Sequence, residues 1–321
     1  MAAALDEIIV KSEDEGEYVN GSTVERKSRS PRKVSGKSTS ETTKVKGKPA
    51  HKVDKSGHFE FGGSFGTAAM MILFPVLMYY LWICSTFYGG HLQFKKVSES
   101  WLAFADRMVA HVTKVTSYSS LIDVNWKGAT PTLSAWVFYW VWIVVEGIFY
   151  VTLPGIQVKG NPMRHDHGRR LPYHCNALWS FYLTTAVALG LHYSGVFKLT
   201  FLIDHFGSIM SVAIISGFLV SIAVFAYALI TGTEHKMTGY WIYDFFMGAP
   251  LNPRIGKWLD LKMFAEVRIP WFILFFTTLA ATLRQYETYG YVTPQMGVVL
   301  LGHYLYANAC AKAEECIVPT W

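Results

Sequence analysis

Four cysteines in a chain of 321 residues, none of them in a CxxC pair, exclude a zinc ribbon and a disulfide framework. Cys84, Cys175, Cys310 and Cys316 are scattered, three of them in or beside apolar stretches, and read as reduced or buried thiols. Histidine gives no metal signal either: HxxxH and HxxHH boxes are absent, so the run His165-Asp166-His167 has no partners at helical spacing, and iron-dependent oxygen chemistry is not expected. The chain has no Walker A sequence and no GxGxxG after a strand. It lacks the short apolar core of a cleavable signal peptide, which leaves the first spanning helix to direct insertion. Charge is scarce as well. Charged residues make up 16% of the chain, no more than aromatics, against 51% hydrophobic, and the mean hydropathy is positive. That balance excludes a pair of soluble domains and indicates a polytopic membrane protein, all-α, built as a helix bundle.

The formal net charge of +6 comes mostly from the N-terminal segment. Residues 1 to 57 are rich in Ser, Lys, Arg and Glu and contain ERKSRSPRKVSGKSTS. Such a segment buries too little apolar surface to offset its ordering entropy, so a disordered cytosolic tail is expected. No aromatic interleaving or folded nucleic-acid motif accompanies the basic run, and no nucleic-acid partner is expected.

From His58 the pattern changes. HFEFGGSFG reads as an interfacial lead-in, and Thr67 to Tyr88 then runs without a charge, long enough to span hydrocarbon at about 1.5 Å per residue. Further spans are expected at Leu133 to Leu153, about His174 to Ser194, about Ile209 to Thr231, Val267 to Leu283 and about Val292 to Ala309, which makes about six transmembrane helices. Between the first two, WLAFADRMVAHVTKV places Trp101, Leu102, Ala105, Met108, Val109 and Val112 at helical spacing, as in an amphipathic helix on the membrane surface or against the bundle. Glu146 lies inside the second span. An intramembrane carboxylate is either functional or a neutral, hydrogen-bonded group packed between helices.

Basic residues set the orientation. With the tail in the cytosol, Lys159, Arg164, Arg169 and Arg170 of the loop 154 to 173, and Lys236, Arg254, Lys257 and Lys262 of the loop 232 to 266, fall on the cytosolic side. The loop 89 to 132 fits that orientation poorly, with five basic residues partly balanced by acids.

Two cytosolic stretches carry the polar chemistry. The first, LPGIQVKGNPMRHDHGRRLPYHCNA, combines glycines, prolines and a basic cluster, which suits either phosphate capture or a stiffened loop. The second, Gly239 to Trp271, holds Asp244, Asn252, Arg254, Lys257, Asp260, Lys262, Glu266 and Arg268 among aromatics. If residues 257 to 268 are helical, Asp260 is expected to pair with Lys257, and Lys262 with Glu266. Tyr243 and Asp244 set a phenol beside a carboxylate at a membrane boundary. They are a candidate proton donor with its orienting partner, or else a belt tyrosine and a capping aspartate.

The motifs LPGxxxxG with GRRLPYHCN, and YDFFMGxxLNPRxGxxxDLKMFxExRxPW, resemble the signatures of the sterol reductase family, whose members reduce the C-14, C-7 or C-24(28) double bond. The resemblance covers roughly residues 58 to 321. HFEFGGSFG, HKMTGYWIYDFFMGAPLNPR, LRQYETYGYVTPQM and HYLYANACAKAEECIVPTW are most similar to its fungal C-24(28) branch.

This resemblance implies a multi-pass, NADPH-dependent enzyme of the endoplasmic reticulum membrane. It would reduce the C24(28) double bond of an ergosta-tetraenol type sterol by protonation and hydride transfer, at the last step of ergosterol synthesis. The implied partners are that sterol, the lipid bilayer and other membrane enzymes of the pathway. Tyr243 and Asp244 are then expected in the reaction chamber. Glu146, Asn252, Arg254, Glu266 and Arg268 are expected to organise the substrate side and its loop, with no metal. Family members resemble ten-helix proteins whose cofactor residues lie in C-terminal helices. The chain ends at Trp321, after its sixth expected span, so cofactor residues are expected beyond it, and the sequence as it stands is expected to be C-terminally truncated and poor at binding NADPH. A non-catalytic sterol-binding or membrane-tethering protein on a reductase-like scaffold is the alternative. A small transporter would show inverted repeats, and none is convincing here.

Overall fold

The computed structural model describes residues 59–112, 128–162, 168–235, 237–256 and 259–320. The expected tail of residues 1 to 57 and the run His165-Asp166-His167 lie outside the described residues. All described residues belong to one unit, Ala50–Trp321.

Backbone polar groups have no water to bond in hydrocarbon, so apolar runs of this length form helices, and helices dominate the fold. In chain order they are α1 Gly63–Phe87, α2 Trp101–Val112, α3 Leu133–Thr152, α4 Ala177–Tyr193, α5 Phe201–Asp204, α6 Phe206–Thr231, α7 Trp241–Met247, α8 Leu261–Tyr289, α9 Pro294–Lys312 and α10 Glu314–Ile317. Two antiparallel hairpins interrupt them. Strand β1 Ile156–Lys159 pairs with β2 Pro172–Cys175, and β3 Arg254–Ile255 pairs with β4 Leu259–Asp260.

Six helices, α1, α3, α4, α6, α8 and α9, occupy the stretches read as spans. Among the described residues four of these, α1, α3, α6 and α8, are long and apolar enough to cross a membrane. Helix α4 has 17 residues, because the start expected near His174 is taken by β2. Helix α8 has 29 residues and begins six positions before the expected Val267, since Asp260 accepts the Met263 N–H at 3.0 Å and caps it there.

The main core lies where α3, α4, α8 and α9 meet, around Tyr139, Phe181, Phe272, Phe275 and Leu279. Phe181 packs against the rings of Phe272 and Phe275 at 5.3 and 5.1 Å. Outward faces stay apolar: Ile72, Leu73, Phe74 and Leu77 on α1, and Val141, Val144 and Ile148 on α3, are exposed, as lipid contact requires. A second cluster joins α1, α2 and α6 through Trp82, Ile83, Met108 and Met210.

The lead-in before α1 folds back on itself. Phe61 has φ 54°, and a Cβ on Gly66 would collide with the Phe61 carbonyl, so the sequence needs glycine there. This turn lays Phe59 and Phe61 against α7, with Phe59 edge-on to Tyr240 and Tyr243 and Phe61 against Phe246.

Candidate functional site

The polar loop residues assemble at the joint between the two hairpins. Gly155 opens the first: a Cβ there would stand 2.5 Å from the Cys175 carbonyl oxygen, so only glycine lets β1 approach β2 this closely. Ile156 then faces Cys175, and Lys159 faces Pro172. In the second hairpin Arg254 faces Asp260, and its Nε lies 3.3 Å from the buried Asp260 carboxylate. The hairpins dock through Tyr173. Asn252 Nδ2 donates to its hydroxyl at 2.8 Å, the Arg254 guanidinium sits 4.4 Å from its ring, and Arg254 Nη1 donates to the Pro172 carbonyl at 3.0 Å. Burial, then the nearby Asp260 carboxylate, pushes the Tyr173 phenol above its ordinary range and keeps it protonated.

Beneath this joint runs a fully buried circuit. Arg268 on α8 donates from Nη1 to Glu314 at 2.8 Å and from Nη2 to the Asn176 side-chain oxygen Oδ1 at 2.6 Å. The other Glu314 oxygen accepts the Ala177 N–H at 2.7 Å, placing a carboxylate at the N-terminus of α4, where the helix dipole favours it. Asn176 Nδ2 lies 3.0–3.1 Å from the carbonyl oxygens of Phe149, Tyr150 and Leu153, the last turn of α3. One arginine thus ties together the end of α3, the start of α4, the body of α8 and α10. Its guanidinium stacks 4.7 Å from the Tyr150 ring. Arg268 Nε and Tyr150 Oη are buried without a partner among the described residues.

One turn before Tyr150, the buried Glu146 carboxyl receives the Ser180 hydroxyl at 2.5 Å and the Thr184 hydroxyl. Two hydroxyl donors from α4 therefore satisfy it.

The pair expected to be catalytic occupies a different set of contacts. Tyr243 and Asp244 are both buried on α7, and each has its own partners. The Tyr243 hydroxyl oxygen accepts the Glu60 N–H at 3.2 Å, and among the described residues its own proton has no acceptor. Asp244 accepts Thr238 N–H at 2.9 Å, Thr238 Oγ1 at 2.6 Å and Gly239 N–H at 3.0 Å, which pins the chain ahead of its own helix.

Of the seven residues singled out from the sequence, Asn252 and Arg254 form the joint, Arg268 runs the circuit below it, and Glu146 lies one turn away along α3. Glu266 is exposed, and the expected Lys262–Glu266 pair is not among the ion pairs of the described residues. Asp260 pairs with Arg254, while Lys257 lies outside the described residues. Sequence reasoning missed Tyr150, Asn176, Ser180, Thr184 and Glu314. Two signals were readable: Glu314 and Glu315 are acids closing an apolar segment, and Tyr150 repeats Glu146 at i+4.

Residues 55–321 match the model of the Ergosterol biosynthesis ERG4/ERG24 family. A Delta(24(24(1)))-sterol reductase of Gibberella zeae is 52% identical over 270 residues, 84% of this chain and 43% of the relative. The Delta(24(24(1)))-sterol reductase erg4A of Aspergillus fumigatus is 49% identical over 268 residues, 84% of this chain and 54% of the relative. A Delta(14)-sterol reductase of Methylotuvimicrobium alcaliphilum is 34% identical over 262 residues, 82% of this chain and 56% of the relative. The chain spans about half the length of the curated relatives it matches.

Proposed function

The chain belongs to the Ergosterol biosynthesis ERG4/ERG24 family of sterol reductases, and on that premise we propose that it serves reduction of the C24(28) double bond of an ergosta-tetraenol type sterol, the last step of ergosterol synthesis, in the endoplasmic reticulum membrane. The observation that carries this reading is the 52% and 49% identity to two relatives named as reductases of that side-chain bond. The apolar helices support it, since they offer a sterol a lipid-facing route to the polar joint. The N-terminus is assigned to the cytosol, with both hairpins on that side.

In the proposed reaction a proton adds to one carbon of the double bond and hydride adds to the other, so the sterol gains two hydrogens and no other bond changes. Tyr243 is our candidate for proton delivery, because its oxygen accepts the Glu60 N–H while its own proton has no acceptor among the described residues. Asp244 positions the α7 start through Thr238 and Gly239. Glu146, Asn252, Arg254, Glu266 and Arg268 are assigned to shaping the substrate side and its loop.

NADPH is the proposed hydride source. The charged groups of the hairpin joint do not fit it, since Arg254, Asp260, Arg268 and Glu314 are engaged with one another, and no residue of this chain is assigned to the cofactor.

Microsomes from cells that express the gene test the reading. Given the C24(28)-unsaturated sterol and NADPH, they are expected to yield a product two mass units heavier, with one new hydrogen exchanged from solvent. Equal conversion in microsomes lacking the gene overturns it.

A further inference from the structure

The chain leaving α1 projects outward before α2 begins. Glu99 organises this projection. Its carboxylate receives Arg107 Nε and Nη2, each at 3.1 Å, and the Lys96 N–H at 3.2 Å. The Arg107 hydrogen bond holds the Glu99 carboxyl below the usual carboxylate range. Lys95 Nζ donates to the Glu99 carbonyl at 2.6 Å, Ser100 Oγ accepts the Ala103 N–H at 3.1 Å to start α2, and Tyr80 on α1 donates to the Gln93 carbonyl at 2.6 Å. The Glu99 carboxylate, the Lys95 ammonium and the Tyr80 hydroxyl are thus spent within the loop.

Beside the exposed Lys96, Ser98 and Ser100, the loop turns large apolar side chains outward. Leu92, Phe94, Val97, Trp101 and Leu102 are exposed at 52, 74, 104, 73 and 73%. A fully exposed valine among large aromatics, held out by an ordered loop, is the signature of a surface that meets something. Of the helical stripe expected from the sequence, Trp101 and Leu102 belong to this surface, and Met108 does not. Met108 turns inward onto Trp82, Ile83 and Met210, and so seats α2 against the last turns of α1.

We propose that residues 92–102 form a preorganised anchor that inserts Leu92, Phe94, Val97, Trp101 and Leu102 into the phospholipid headgroup boundary beside α1, with the exposed Lys96 ammonium group on lipid phosphates. Three observations select a bilayer as the occupant. The patch continues directly from α1, a helix long and apolar enough to span. Two lysines flank the apolar side chains, and the Lys95 ammonium lies 5.7 Å from the Trp101 ring, the pairing of aromatic and cation that suits a headgroup layer. Glu99, the one carboxylate within residues 92–102, is held by Arg107, so the anchor itself carries no free carboxylate into lipid; the next acid, the exposed Asp106, follows on α2.

The test uses the whole chain in phosphatidylcholine nanodiscs, with the more accessible thiols removed (Cys310→Ser, Cys316→Ser) and an environment-sensitive fluorophore on Val97→Cys. Val97 makes no packing contact to lose, so the fold is preserved. An exposed hairpin position, Arg170→Cys, is the aqueous control. The anchor predicts blue-shifted emission at position 97, strong quenching by a nitroxide placed shallow in the lipid, and weak quenching by aqueous iodide, with the reverse at position 170. Adding Lys96→Glu is expected to reduce lipid quenching at 97. Iodide quenching at 97 equal to that at 170 overturns the proposal. So does shielding from both quenchers with crosslinking between copies, which assigns the patch to self-association.

Discussion

Arg268 and Glu314 are 46 residues apart in sequence and 2.8 Å apart in the fold, both closed off from solvent. Their pairing fastens the short helix α10 to the N-terminal third of α8, the longest helix of the described residues. Asn176 and the α4 N-terminus complete the link.

Removing one partner of such a pair strands the other charge. Arg268→Leu is expected to destabilise the chain by about 3–5 kcal/mol in mixed-micelle unfolding. The double variant Arg268→Leu with Glu314→Gln is expected to recover part of that loss, since no ion is left unpaired. Strictly additive losses contradict the circuit.

Variants of Tyr243 and Asp244 test the proposed division between proton donor and scaffold. Tyr243→Phe gives up one backbone hydrogen bond, a cost of about 0.5–1.5 kcal/mol, so the fold should persist. Sterol reduction by the gene product should nevertheless fall by roughly 10²–10⁴ if this hydroxyl delivers the proton. Asp244→Ala removes the acceptor of three bonds and is expected to cost about 1.5–3 kcal/mol, with lower yield of folded protein. Full activity in Tyr243→Phe removes this tyrosine from the chemistry.

Glu146 is satisfied by two hydroxyls, which a neutral amide can also serve. Glu146→Gln should leave the melting temperature nearly unchanged, while Glu146→Ala strands the Ser180 and Thr184 hydroxyls and should cost about 1–3 kcal/mol. A large loss with glutamine shows instead that the negative charge is required.

Cys175 gives a pH signature. Burial first, then the Glu314 carboxylate, pushes its thiol from an ordinary 9.0 up to about 12. It therefore stays protonated and shielded when folded, while Cys316 is exposed to reagent. Maleimide should label Cys316 at pH 8 and leave Cys175 unreacted until unfolding. The sign of the linkage follows: between about pH 9 and 12 the unfolded chain loses a proton that the folded chain keeps, so this thiol lowers stability as pH rises through that window. Labelling of Cys175 as fast as Cys316 refutes its burial.

The helices were legible because charge-free runs leave the backbone no other solution, and the positions of α1, α3, α6 and α9 follow from composition. The hairpins were not legible. They depend on Gly155 admitting the Cys175 carbonyl and on Arg254 meeting Asp260 across a turn, both settled by pairing between separate segments. Helical spacing offered Lys257 as the partner for Asp260, whereas Asp260 caps α8 and turns its other oxygen to Arg254. The buried circuit was half visible. Arg268 stood out as a charge at the start of an apolar run, but Asn176 and Glu314 sit 92 and 46 positions away, and no local pattern announces them.

The sterol profile of the organism that carries this gene tests the central claim most directly. Disrupting the gene is predicted to deplete the end-product sterol and accumulate its C24(28)-unsaturated precursor, with restoration when the gene is returned. An unchanged sterol profile contradicts the account.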